Sequence, residues 1–417
     1  MAGRLSLTEV TYRQEQRRAL VAGILETAGT TFLLLVAVRA FEAGALAKGL
    51  IAAGGSLGLL LTPFTVSVVA RLRMPVTRAA AWISGFGGAC YAAAALVPWL
   101  PLYVAFCVGA LTAGLALVPL LTQMFEENYP DSERGRRFSN TVVIRILASI
   151  GFSWLGGRVL SDHVGDRYPV ILLVYAGAFL CSAWCLLRVP TRPITLAGGS
   201  HPFRAWRYLR DDRVFRTTLI SWMLMGFGNL MMLPLRVDYL ANPRYQLALP
   251  AMQVALLTGV VPNISRLIMI GVWGRLFDRM NFHAMRATLN VGFAVGILAF
   301  FTGDSMGWLI FGGIVFGISN AGGDISWSLW VTKLAPPGRA ADYMSVHTFL
   351  NGIRSALAPV LAFLVVEHTP ITTLGWVSVG LIVVSTLILI PEIRSDSAGR
   401  RWRRRSAVVT EKPDLQE

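Results

Sequence analysis

Residues 251–301 read AMQVALLTGVVPNISRLIMIGVWGRLFDRMNFHAMRATLNVGFAVGILAFF. An apolar run over 251–273 contains one ionisable side chain, Arg266. A short loop with Arg275, Asp278 and Arg279 comes next, and a second apolar run covers 284–301. At 1.5 Å per residue the first run makes a helix roughly 35 Å long. A hydrocarbon core about 30 Å thick needs about 20 mostly apolar residues to be crossed. Lipid offers the backbone no hydrogen-bond partners, so a crossing segment must satisfy its own, as a helix does. The stretch therefore reads as two membrane helices joined by a charged loop.

Working outward, twelve such runs appear, at 20–38, 44–70, 79–98, 102–125, 138–157, 169–187, 217–235, 251–273, 284–301, 306–331, 343–366 and 371–391. Hydrophobic residues make up 54% of the 417-residue chain and charged residues 15%, against about 25% charged in soluble domains. That composition excludes a water-soluble enzyme and a disordered chain. The sequence predicts an all-α, polytopic membrane protein with twelve transmembrane helices in two pseudo-symmetric six-helix bundles.

An even number of crossings places both termini on one side. Most of the 38 Lys and Arg fall in loops on that side, which the positive-inside rule assigns to the cytoplasm. The net charge of +15 thus reflects topology, and no nucleic-acid partner is expected. The chain divides accordingly into a cytoplasmic N-terminal segment 1–18, a first bundle 19–188, a linker 189–216, a second bundle 217–391 and a basic tail 392–417. Residues 1–18 lead into the first run without a small-residue cleavage site, so that helix is expected to be retained. In the linker, Phe203, Trp206 and Leu209 recur every third residue among arginines, the pattern of a helix lying on the membrane surface. The RRWRRR run at 400–405 is suited to an anionic inner leaflet.

The two halves repeat each other. The loop after the fourth run reads NYPDSERGRRFS (128–139) and that after the tenth reads KLAPPGRAADYMS (333–345), each with Pro, then Gly-Arg, then a new helix. GRLFDRMNFHAMR (274–286) after the eighth run corresponds to VSVVARLRMPVTR (66–78) after the second, with Val68 opposite Gly274 and Leu72 opposite Asp278. With Gly274, Asp278 and Arg279 in that loop, Asn281 where a second Gly is usual, and twelve runs split six and six, the chain resembles the major facilitator superfamily over nearly its whole length. The resemblance implies two six-helix lobes that rock about a central cavity lined mainly by the first, fourth, seventh and tenth helices. The Arg in helix 4 and the Gly-Pro pair in helix 5 of that superfamily's drug antiporters have no counterpart here.

Five ionisable residues lie well inside the runs: Glu26, Arg145, Arg266, Asp324 and Arg354. A central Asp, Lys or Arg facing lipid costs about 2.5–3.5 kcal/mol on the insertion scale, so all five must face protein or water. Counting 1.5 Å per residue from the charged helix ends places Glu26, Arg145, Arg266 and Asp324 in one layer and Arg354 nearer mid-membrane. Glu26 is expected to pair with Arg145, and Asp324 with Arg266 or Arg354. These five are candidates for substrate or proton binding. Asn320 and Trp327, at helical spacing from Asp324, and Asn229 in the Met-rich seventh run join them. Gly274, Asp278, Arg279, Arg134 and Arg136 are candidates for a cytoplasmic gate.

Other signals are read as packing. The methionines near Asn229 fill irregular space more readily than they bind a metal. Cys90, Cys107, Cys181 and Cys185 all lie within runs and read as inert buried thiols. GDSMG at 303–307 lacks the strand-turn-helix setting of a nucleophilic Ser305, and no phosphate loop or HExxH occurs. The expected function is secondary transport of a small solute by alternating access, coupled to protons, with a lean toward an anionic or amphipathic organic molecule. A cell membrane location, no cofactor, no enzymatic activity and a monomeric state complete the reading. The alternative is a transporter-like receptor or assembly partner, favoured by the altered loop at 66–78.

Overall fold

A computed structural model describes residues 6–161, 163–193, 208–303, 305–335 and 340–410. The Phe203–Trp206 pattern, the Gly338-Arg339 pair and the arginine side chains of 400–405 lie outside the described residues.

Among the described residues, sixteen of seventeen α-helices build twelve crossings. The first is α1 (Leu7–Thr27) and α2 (Leu33–Arg39), joined by a π-helical turn at Ala28–Phe32. The second is α3 (Ala45–Leu60) and α4 (Thr62–Arg71), the third α5 (Val76–Leu96), and the fourth α6 (Leu100–Ala116) with α7 (Val118–Asn128). The fifth and sixth are α8 (Asp131–Leu160) and α9 (Val164–Leu187). A short α10 (Tyr208–Asp211) precedes the seventh crossing, α11 (Arg213–Ala241). The eighth is α12 (Ala251–Ala255), a π-helical turn at Leu256–Val260, and α13 (Val261–Arg279). The last four are α14 (Phe282–Thr302), α15 (Met306–Leu334), α16 (Ala340–Val366) and α17 (Ile371–Thr410). Among the described residues there is no strand, only an isolated bridge between Pro75 and Pro193.

Eleven crossings are helices long and apolar enough to span unaided, and the second is a pair bent by 49°. That break falls at Leu61, just ahead of Pro63, which has no N–H to continue the ladder. The crossings outrun the apolar runs at the linker end. The first starts at Leu7 rather than 20, where Ser6 caps it by accepting from the Glu9 amide at 3.2 Å. The fifth starts at Asp131 rather than 138, and α17 continues to Thr410 rather than 391. Hydropathy marks only the lipid-matched part of a helix, and a capped amphipathic turn extends beyond it at no cost to insertion.

Packing repeats between the lobes. In the first lobe α1 packs on α8 and α9, α3 on α6, and α5 on α6 and α9. In the second, α11 packs on α16 and α17, α13 on α15, and α14 on α15 and α17. These are the same pairings six crossings later. The lobes meet along two seams that obey the same rule, α3 against α16 and α8 against the eighth crossing. The two π-helical turns face each other there, and Thr31 and Thr258 share a hydrogen bond of 2.9 Å between their hydroxyls.

The site depends on one close approach. A methyl placed on Gly23 of α1 would collide with the carbonyl oxygen of Arg145 and come 2.7 Å from the Ala148 methyl of α8. Overpacking of this kind costs about 1–3 kcal/mol. Gly23→Ala is expected to lower the melting midpoint of the purified protein. Gly151→Ala, on the same α8 but facing open space, should leave it unchanged or raise it; equal midpoints for both variants would contradict the close α1–α8 contact.

Candidate functional site

Glu26 lies three residues beyond Gly23, so the contact that seats α1 on α8 also presents Glu26 to Arg145. Arg145 Nε lies 3.2 Å from Glu26 Oε2. The other carboxylate oxygen, Oε1, accepts from Arg266 Nη1 of α13 at 2.7 Å. Arg266 Nε in turn donates to Asp324 Oδ2 of α15 at 2.7 Å. The result is a chain of alternating charges, Arg145, Glu26, Arg266, Asp324, that begins in one lobe and ends in the other. Asn263, one turn before Arg266, donates to Ser149 Oγ of α8 at 3.2 Å and accepts a weak bond from Arg266 at 3.4 Å.

Two acids and two guanidinium groups leave the chain formally neutral. At an effective dielectric of about 20, two unit charges about 4 Å apart attract by about 4 kcal/mol, and burial takes back several kcal/mol per ion. The net gain from the whole array is small, whereas loss of one member strands its partner. Exposure is uneven: the Arg266 side chain is 11% exposed, Glu26 25% and Asp324 46%. Asp324 is thus the most open member of the chain, and a charge at this depth is tolerated only against protein or water.

The structure separates the fifth intramembrane charge from this chain. Arg354 of α16 donates through Nη1 to the Trp222 carbonyl at 2.9 Å, and the expected alternative of pairing with Asp324 is not realised. Asn320 and Trp327 share the Asp324 face of α15 and are half-buried. Asn229 is half-buried too, with its Oδ1 unpartnered. The gate candidates are not brought together. Asp278, Arg279 and Arg136 are exposed, Gly274 is half-buried, and Arg134 donates to the Glu126 and Tyr129 carbonyls of its own lobe at 3.2 and 3.3 Å.

The end opposite the linker carries a polar cluster that the sequence did not single out. Lys48 of α3 pairs with Asp238 of α11 at 2.8 Å, and the residues are 8% and 1% exposed. Asn242 adds a bond to Asp238 at 3.2 Å, and Lys48 Nζ lies 5.3 Å from the centre of the Phe363 ring. Arg39 donates to the Leu249 carbonyl at 3.0 Å, and the Ala45 amide to Glu367 Oε1 at 3.3 Å. The Lys48, Arg39 and Ala45 contacts all join the lobes, so this end is closed. The only advance signal was that Lys48 and Asp238 stand at helix ends of the same level.

A bundle of twelve crossings in two equivalent lobes, sealed at one end and holding a charge network between them, defines a membrane carrier. The sequence profile of the Major Facilitator Superfamily matches residues 19–359 and, overlapping, 240–411; the chain belongs to that family. It is a transporter, not an enzyme. Among solved structures, a mutant form of the nucleoside transporter NupG is similar with a TM-score of 0.76 at 16% identity, over 91% of this chain and 99% of that one. The human organic anion transporter MFSD10 (TETRAN) gives 0.64 at 16%, over 92% and 98%. A D-xylose-proton symporter gives 0.62 at 16%, over 92% and 95%. At such identity the likeness establishes the fold. No curated protein matches the chain's sequence.

Removing one partner of a buried ion pair typically costs about 3–5 kcal/mol. Asp238→Asn, which leaves Lys48 charged and buried, is expected to lower the melting midpoint markedly, and the exchange of Lys48→Asp with Asp238→Lys to recover most of the loss. An Asp238→Asn protein as stable as the wild type would show that the pair does not hold the lobes.

Proposed function

We propose that the protein is a proton-coupled secondary transporter of a small anionic or amphipathic organic molecule, working by alternating access. The observation that supports this reading is Arg266, clasped by Glu26 of one lobe and Asp324 of the other. Asp324 is the most exposed member and so the natural place for a proton to enter. Protonation removes its charge and frees Arg266 Nε, so that Arg266 is committed to Glu26 across the seam. Deprotonation restores a divided Arg266. The strength of the tie between the lobes thus depends on the occupancy of one carboxyl group, which is what coupling a conformational change to a proton requires.

In this reading the lobes stand closed at the Lys48–Asp238 end and parted at the linker end, where Asp278, Arg279 and Arg136 wait to meet. The excess of Lys and Arg in the linker-end loops supports a cytoplasmic position for that end and both termini, and the reading puts the protein in a cell membrane. The nucleoside, organic anion and xylose carriers that share the fold show how widely its cargo varies, so the site residues must decide. The four-charge chain is neutral by itself, and the unbalanced positive charge lies apart from it in the second lobe, at Arg354, which favours an anionic group on the cargo.

The test uses protein reconstituted in vesicles with an imposed pH gradient and an internal pH dye, challenged with a panel of organic anions, nucleosides and pentoses. Wild-type vesicles should move protons when the cargo is added. Asp324→Asn and Glu26→Gln should abolish gradient-driven flux while the purified proteins stay folded. Wild-type rates in both variants would remove these carboxylates from the mechanism.

A further inference from the structure

Arg354 has company. Arg286, at the start of α14, places its guanidinium carbon 3.8 Å from the centre of the Trp222 ring, the same residue whose carbonyl accepts from Arg354. Both arginines thus contact the same residue, Trp222. Gly226, one turn beyond Trp222, leaves the space that the Arg354 guanidinium occupies; a methyl there would overlap it. Among the described residues neither arginine forms an ion pair with a carboxylate, and the sulfur of Met225, a weak acceptor, takes one Arg286 bond at 3.3 Å.

The surroundings are rich in unused donors. Arg286 Nε, Arg354 Nε, Trp330 Nε1 and His347 Nδ1 all lack a partner. Arg286 is 3% exposed, and Trp330 and His347 are fully buried. His347 Nε2 faces the Asn351 amide nitrogen at 2.7 Å, and with that amide donating, the imidazole carries its proton on Nδ1. The His347 ring lies 5.2 Å from Trp222 and 4.9 Å from Trp330, so the residues bearing these donors cluster around Trp222. Buried polar atoms are normally satisfied, and guanidinium groups do not lose their charge. Cation–π contact compensates only in part. Trp327, 6.2 Å from His347, shares a face of α15 with Asp324 and so lies between this region and the four-charge chain.

We infer that Arg286 and Arg354, with Trp330 and His347, form a binding site for an oxyanion group, carboxylate or phosphate, within the second lobe. The inference rests on the transporter reading for its biological meaning, since it names the charged part of the cargo, but the binding itself can be tested alone. An organic anion and a lipid headgroup offer the same chemistry. Purified protein is therefore titrated with benzoate, inorganic phosphate and a short-chain phosphatidylglycerol at constant ionic strength set with chloride, and melting and equilibrium binding are monitored.

At least one oxyanion should raise the wild-type melting midpoint saturably, as ligand bound to the folded state must; benzoate or phosphate would identify a soluble anion, and phosphatidylglycerol alone a lipid. Arg286→Gln and Arg354→Gln should lose the response. Trp330→Phe, which keeps the ring packing and deletes one donor, should weaken binding about tenfold, the loss of one hydrogen bond to a charged group. A flat response of wild-type protein to all three probes would overturn the inference, as would full affinity in both arginine variants. Vesicle flux separates the two readings: flux without oxyanion binding overturns this inference alone, and binding without any flux overturns the transport mechanism alone.

Discussion

The arrangement of this protein turns on Arg266. Helix packing between apolar lobes in a membrane is non-directional, because lipid chains are as apolar as the side chains they replace. A guanidinium with carboxylates 2.7 Å away on two sides is directional, and its rigid fork fixes both partners at once. One carboxylate belongs to α1 and the other to α15, so this residue defines the height and rotation at which the lobes meet. The hydroxyl pair Thr31–Thr258 and the amide Asn263 on Ser149 lie beside it and repeat the same register with neutral groups. Both π-helical turns, Ala28–Phe32 and Leu256–Val260, lie about one to two turns from it toward the sealed end. An extra residue in a turn rotates the helix beyond it, and such turns are common at functional positions.

Around this pivot the two ends differ in kind. The end opposite the linker is held by the buried pair Lys48–Asp238, by Arg39 on the Leu249 carbonyl and by the Ala45 amide on the Glu367 carboxylate. The linker end has no equivalent among the described residues. There the first lobe is tied to itself instead: Thr77 donates to the Val189 carbonyl at 2.7 Å, and Asn128 to Thr11 and to the Pro190 carbonyl at 3.0 and 3.1 Å. Packing of the helices is thus nearly two-fold, while the polar contacts between lobes are one-sided. On the proposed alternating-access reading, a carrier midway would need similar contacts at both ends, so this polar pattern corresponds to one extreme of the motion.

Much of this was legible in the sequence, for reasons that also explain the rest. Twelve crossings and their division come from hydropathy, because the lipid thickness imposes a length that no soluble fold requires. Their linker-end limits do not, since Ser6 and Asp131 open helices whose first turns lie outside the apolar run. Counting rise per residue gives the height of a charge and not its azimuth. That was enough to place Glu26, Arg145, Arg266 and Asp324 in one layer, where the structure joins them. It could not foresee that Glu26 would reach across the seam to Arg266, which depends on how the lobes are rotated. Arg354 shows the same limit: α16 turns it toward Trp222, inside its own lobe. Lys48, Asp238 and Arg286 were overlooked because charges near helix ends usually reach water, and only tertiary packing buries them.

The distribution of charge carries a final consequence. The chain at the seam is balanced, so on the proposed mechanism lobe movement would exchange one partner for another without exposing a net charge to hydrocarbon. An unbalanced charge at that position would resist the motion by the full desolvation penalty of an ion. The imbalance is stored instead at Arg286 and Arg354, both inside the second lobe and in contact with the same tryptophan. Because they belong to one rigid body, rocking does not separate them, and an anion held there would travel with the lobe. On the proposed reading, the proton acts where the lobes meet and the cargo's charge is held where they do not, which keeps the energy of coupling separate from the energy of recognition.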